Sequence, residues 1–156
     1  MPGGNDKNWT PPVNFYFRVE FQWGSSNDKT VASFLEVSGL DEEVAMEAVK
    51  SNIEGGMRPT GQIKHGNIVL KRPLKHLNED IRKWVKECFS FTLGDNRIRP
   101  CLVIISLLNP EGKPCAGWEC SRAFPVKWSL DPMNSSESKL AIESLTLCYS
   151  RLSRRI

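Results

Sequence analysis

Between Asn14 and Trp23 the chain alternates strictly. Phe15, Phe17, Val19, Phe21 and Trp23 fall on one side, and Asn14, Tyr16, Arg18, Glu20 and Gln22 on the other. Side chains two apart share one face of a strand, so this segment has one apolar and one wet face. A helix would scatter the same residues around its circumference. The segment therefore commits the chain to a half-buried antiparallel sheet. Gly24 to Asp28 supplies turn residues and Val31 to Ser38 reads as the returning strand, which makes a hairpin.

The following segment is ambiguous. Asp41 to Lys50 is rich in Glu, Ala and Met, which favours helix by propensity. Yet Val44, Met46 and Ala48 alternate with Glu43 and Glu47, which fits a strand, and the local evidence is even. Ser51 to Gly66 contains Gly55, Gly56, Pro59 and Gly61 and reads as an irregular loop of functional length. Asn67 to Arg72 is a short strand. Leu77, Ile81, Trp84, Val85 and Cys88 then repeat at helical spacing and predict a helix packed on the core through that stripe. Cys101 to Leu108 is a continuous apolar run, a strand buried on both faces. Trp118 to Trp128 and Leu140 to Leu152 read as two more. Six or seven strands and one helix, joined by short connections, predict a mainly β fold: a small antiparallel β-barrel with one flanking helix. Residues 1–12 read as a flexible N-terminal arm and 13–156 as the barrel domain.

Composition excludes several classes. The 156 residues carry 21 basic against 18 acidic side chains, a net charge of +3, too little for a dedicated nucleic-acid binder. The basic cluster Arg151, Arg154 and Arg155 reads as solubilising. No run approaches the ~20 apolar residues of a membrane span, and no export signal is expected from the first residues. The five cysteines are odd in number and irregularly spaced, which predicts reduced thiols of cytosolic manufacture.

Catalytic signatures are missing. There is no nucleophile elbow, phosphate loop, zinc-binding H-E-x-x-H or dinucleotide fingerprint. His65 and His76 read as surface histidines, Cys88 and Cys101 as small core residues, and Asp41-Glu42-Glu43 as a solvated acidic run. No catalytic residue, cofactor or metal is expected.

Several blocks, in order and spacing, carry a resemblance. They are Val13 to Val19, Phe34 to Asp41, Gly66 to Arg72, Asp80 and Trp84 in the helix, Asn109-x-x-Gly112, Trp118, Ala123 to Trp128, and Ala141 to Leu147. Together they make the chain, from about Pro12 to Leu152, similar to the tail tube proteins of contractile phages and phage-derived injection systems. The resemblance implies six-fold rings that stack into a hollow tube, ejected when a surrounding sheath contracts, and an extended hairpin after the Gly39-Leu40 motif that touches the adjacent ring. It turns the reading of Asp41 to Lys50 towards strand. It also implies inter-ring contacts through Glu43, Met46, Lys50, Ile53, Gly55, Gly56, Met57 and Pro59. The implied partners are copies of the chain, sheath, baseplate and tube-terminator proteins, and a protein or DNA cargo, in a particle assembled in the cytoplasm. A baseplate adaptor and a small β-barrel enzyme or ligand-binding module are the competing readings.

Overall fold

A computed structural model describes residues 15–24, 28–48, 56–73, 79–90, 99–132, 136 and 141–156. In chain order these form β1 (Tyr16–Gln22), β2 (Lys29–Phe34), β3 (Glu36–Ser38), β4 (Glu43–Ala48), β5 (Met57–Lys64) and β6 (Ile68–Pro73). The helix α1 (Glu79–Phe89) follows, then β7 (Cys101–Leu108), β8 (Pro114–Leu130), β9 (Ile142–Cys148) and β10 (Arg151–Arg154). No helix among the described residues is long and apolar enough to cross a membrane.

The main sheet runs β2-β1-β7-β8-β9-β6-β3, with every pairing antiparallel and β10 paired to β8. Its two ends, β2 and β3, are successive pieces of one chain segment, broken at Leu35. The Leu35 amide donates to the Lys71 carbonyl at 2.9 Å, so the segment leaves β1 and joins β6. β2 and β3 are not paired with each other, so the barrel wall stays open between them and is bridged only by the chain at Leu35. The 17-residue β8 makes the opposite corner: it pairs with β7 up to Ala123 and with β9 from Phe124 onward. Arg122 sits at this turn with φ 54°, a left-handed conformation that an irregular strand can impose on a side-chain-bearing residue. The expected strand over Leu140 to Leu152 is likewise two, β9 and β10, jointed at Tyr149-Ser150.

Two corrections to the sequence reading follow. There are ten strands among the described residues against six or seven expected. The larger revision is at Ser51 to Gly66: residues Met57–Lys64 are the strand β5, paired with β4 in a sheet of their own. At each corner the alternation slips by one residue: the inward set runs Ala32, Phe34 and then Val37 across Leu35, and Leu147, Tyr149 and then Leu152 across Ser150, while the hydrogen-bond partner changes.

The core is built from the inward faces of β1, β6, β7 and β9 and closed by α1. Val19, Phe21, Ile68, Leu70, Val103, Ile105 and Leu147 are fully buried. On α1, Ile81, Trp84, Val85 and Cys88 all face inward, as three- and four-residue spacing requires on one helical face; Leu77 lies outside the described residues. Trp84 meets Trp23 and Phe21 edge-on, with centroids at 5.5 and 5.8 Å. Its indole N–H donates to the Arg99 carbonyl at 2.7 Å, which removes the penalty of burying that polar group. The Thr30 hydroxyl also donates to Asp80 at 3.0 Å, tying the start of the helix to β2.

Where the β4–β5 hairpin leaves the barrel, its two ends touch. Gly39 has φ +86°, and a Cβ there would lie 2.2 Å from the Asn67 carbonyl oxygen. Neither the conformation nor the space admits a side chain. Gly39→Ala should therefore destabilise the protein by about 2–4 kcal/mol, read as a lowered urea midpoint at unchanged slope.

Candidate functional site

Among the described elements, the β4–β5 hairpin stands apart from the main sheet. Every residue of β5 is exposed, and in β4 only Ala45 is buried. The hairpin still has two chemically distinct sides. Val44 pairs with Ile63, Met46 with Pro59 and Ala48 with Met57, an apolar ladder of cross-strand partners. Alternate positions pair Glu43 with Lys64 and Glu47 with Arg58. The Arg58 guanidinium reaches the Glu47 carboxylate at 2.6 Å. Opposite charges directly across a ladder hold its register, though an exposed pair adds only a few tenths to ~1 kcal/mol.

An irregularity in the middle shapes this hairpin. The register shifts between Val44 and Met46, so Thr60, Gly61 and Gln62 together oppose Ala45. The Thr60 hydroxyl donates to the Ala45 carbonyl at 3.0 Å and accepts from the Gln62 amide at 3.2 Å. Gly61 turns the chain there with φ +80°. Pro59 is tolerated because an unflanked strand has one side whose amides need no ladder partner. These residues look like loop formers in sequence, and here they form a bulge in a strand.

On the apolar ladder Met46 is 50% and Ile63 60% exposed, with Val44 and Met57 close to these values. A strand pair without a covering layer is marginal in water, and a ladder of large apolar side chains left open is the signature of a contact surface. Of the residues expected to contact a neighbouring ring, Met46, Met57 and Pro59 lie on this ladder. Glu43 lies on the charged side, Gly56 at the entry to β5, and Lys50, Ile53 and Gly55 lie outside the described residues. Val44, Ala48 and Ile63 are not among the residues expected to make that contact. The signal was present: Met57, Pro59 and Ile63 alternate with Arg58, Thr60, Gln62 and Lys64, but Gly61 and Pro59 masked it.

At the root of the hairpin, Asp41, Glu42, Glu43, Lys64, His65 and Gly66 line an open cleft. Among the described residues no three His, Cys, Asp or Glu side chains come together to hold a metal ion. His76 lies outside them. His65 stacks on Tyr149 with centroids 4.0 Å apart and planes 11° from parallel. It is therefore a structural neighbour of the barrel and not a free surface side chain.

Cys88, Cys101 and Cys120 are buried, Cys148 is half-buried and Cys115 is exposed, all as free thiols. Burial raises the thiols of Cys88 and Cys101, and pushes that of Cys120 up to about 12. A thiol reagent at about pH 8 should modify Cys115 rapidly and spare these three until the protein unfolds. Their folded values lie above the roughly 8.5 of an unfolded thiol, so the stability from keeping them neutral is fully present below that pH. It is lost as pH rises from there through the folded values, and thermal melts should fall accordingly.

The comparisons agree with one another. Residues 13–153 match the family model described as T4-like virus tail tube protein gp19. No curated protein matches the chain. Among solved structures, the chain is similar to one in the PVC sheath/tube terminator of an extracellular contractile injection system in its extended state. That likeness has a TM-score of 0.74 at 23% identity, over 95% of this chain and 98% of the other. A chain of the PVC sheath-tube complex in the extended state gives 0.73 at 22% identity, over 99% and 98%. Hcp1 from Flavobacterium johnsoniae gives 0.58 at 12% identity, over 88% and 93%. At these identities the structural likenesses are likenesses of fold.

Proposed function

Since the chain belongs to the T4-like virus tail tube protein family and is a structural tube subunit, we propose that it forms six-fold rings stacked into the inner tube of a contractile injection system or phage tail. The observation that carries the stacking is the projecting hairpin. Among the described residues nothing covers its ladder of Val44, Met46, Ala48, Met57, Pro59 and Ile63. Repeating one heterologous contact along an axis covers every ladder but the last, and it generates a filament from a single interface. Glu43, Lys50, Ile53, Gly55 and Gly56 belong to the same proposed contact. Residues 1–12, read from sequence as an arm, lie outside the described residues.

The tube acts by conducting a protein or DNA cargo once the sheath contracts, without catalysis by this chain. Sheath, baseplate and terminator proteins are its partners, in keeping with the assemblies in which similar chains have been solved. It is made in the cytoplasm and carried in the finished particle. Native mass spectrometry of the purified chain tests the ring directly. Six copies, or multiples of six, are expected; a strict monomer at high concentration would refute ring formation. A single ring that never extends would favour the baseplate adaptor instead.

A further inference from the structure

His65 occupies the joint between the hairpin and the barrel, and its two ring nitrogens face two carbonyl oxygens. Nδ1 lies 3.1 Å from the Gly66 oxygen, at the hairpin's exit. Nε2 lies 3.3 Å from the Ser150 oxygen, at the β9–β10 joint. A carbonyl only accepts hydrogen bonds. A neutral imidazole has one N–H, so in either tautomer the second nitrogen turns a lone pair towards an oxygen. Only the imidazolium can donate to both. Stacking on Tyr149 fixes the ring plane, so it cannot swing away to relieve the mismatch without losing that contact.

Charged groups surround the ring. Asp41 and Glu42 approach from the hairpin's entry, and Glu43 from β4, against Lys64 on β5. On the barrel side stands Tyr149 itself. The Tyr149 phenol is pushed up to about 12, chiefly by burial and then by the charges of Cys120, Asp41 and Glu42, so it stays neutral where imidazole titrates.

We infer that His65 is a proton-operated clamp: as imidazolium it bonds Gly66 and Ser150 together and holds the hairpin on the barrel, and as neutral imidazole it gives up one of the two bonds. The clamp is a property of the single subunit. Its consequence for ring stacking, that acidification fixes the hairpin in its docking direction, rests on the tube reading above.

The test is hydrogen–deuterium exchange of the full-length chain at one fixed concentration, at about pH 5.5 and about pH 8, corrected for intrinsic exchange. Peptides from β4 and β5 should exchange about threefold to tenfold more slowly at the lower pH, the range one hydrogen bond supplies. Peptides from β1 and β7 serve as the internal reference and should not change. His65→Phe keeps the stack on Tyr149 and removes both nitrogens, so the pH dependence should vanish; His65→Gln provides the same comparison if the Phe variant misfolds. Equal hairpin protection at both pH values in the wild type, or an unchanged dependence in the variants, would overturn the clamp. Exchange is read at a concentration where light scattering shows no assembly at either pH, so that hairpin protection reports the single subunit.

Discussion

Trp84→Ala is expected to lower the stability of the subunit by ~3–5 kcal/mol, the range for emptying a large aromatic site in a core. Trp84 is completely buried, is packed edge-on against Trp23 and Phe21, and anchors the Arg99 carbonyl. Truncation leaves a cavity, an unpaired carbonyl and a helix without its main contact. For a domain of this size each kcal/mol moves the melting temperature by about 2–4 °C, so the fall should be roughly 6–20 °C. Lys83→Ala, one residue away on the exposed side of α1, should stay within about 0.5 kcal/mol of the wild type. Scanning calorimetry of the two variants checks this. Equal melting temperatures would mean that the helix does not close the core through Trp84.

The second large effect is on assembly and leaves folding alone. Met46→Glu with Ile63→Glu changes two half-exposed residues on the apolar ladder, away from the core. Circular dichroism and melting should match the wild type to within about 1 kcal/mol. In the assembly each of these side chains gains about 1 kcal/mol by completing its burial, roughly half the value for a fully exposed side chain. Over six copies that sums to roughly 12 kcal/mol per ring junction, and the variant would also have to desolvate twelve carboxylates. Rings should persist and long tubes should disappear in negative-stain images. Tubes of normal length would show that the ladder is not the stacking surface. A loss of folding would show that the hairpin belongs to the subunit core.

The contrast between these two sites explains what could be read from sequence. Trp84 and Ile81 were legible because burial within the subunit imposes a period on the chain. The same holds for Val19 and Phe21 on β1 and for the apolar run of β7. The hairpin gives a weaker signal because no layer among the described residues covers it. Asp41 to Lys50 was evenly balanced between helix and strand, and β5 was read as loop because Pro59 and Gly61 are breakers in a covered sheet. They are tolerated here by a free edge and a bulge closed by Thr60. The corners at Leu35 and Ser150 shift the inward set by one residue, from Phe34 to Val37 and from Tyr149 to Leu152, a slip too small to stand out within one apolar segment. The stack of His65 on Tyr149 joins residues 84 positions apart, and no local pattern could have paired them.

Cryo-electron microscopy of filaments grown from the purified chain tests the central claim most directly. Stacked six-fold rings are expected in which Val44, Met46, Met57 and Ile63 are buried against the next ring, with the Glu47–Arg58 pair left in solvent. A stack in which that ladder remains exposed, or a preparation that yields only monomers under conditions that assemble related tubes, would contradict it.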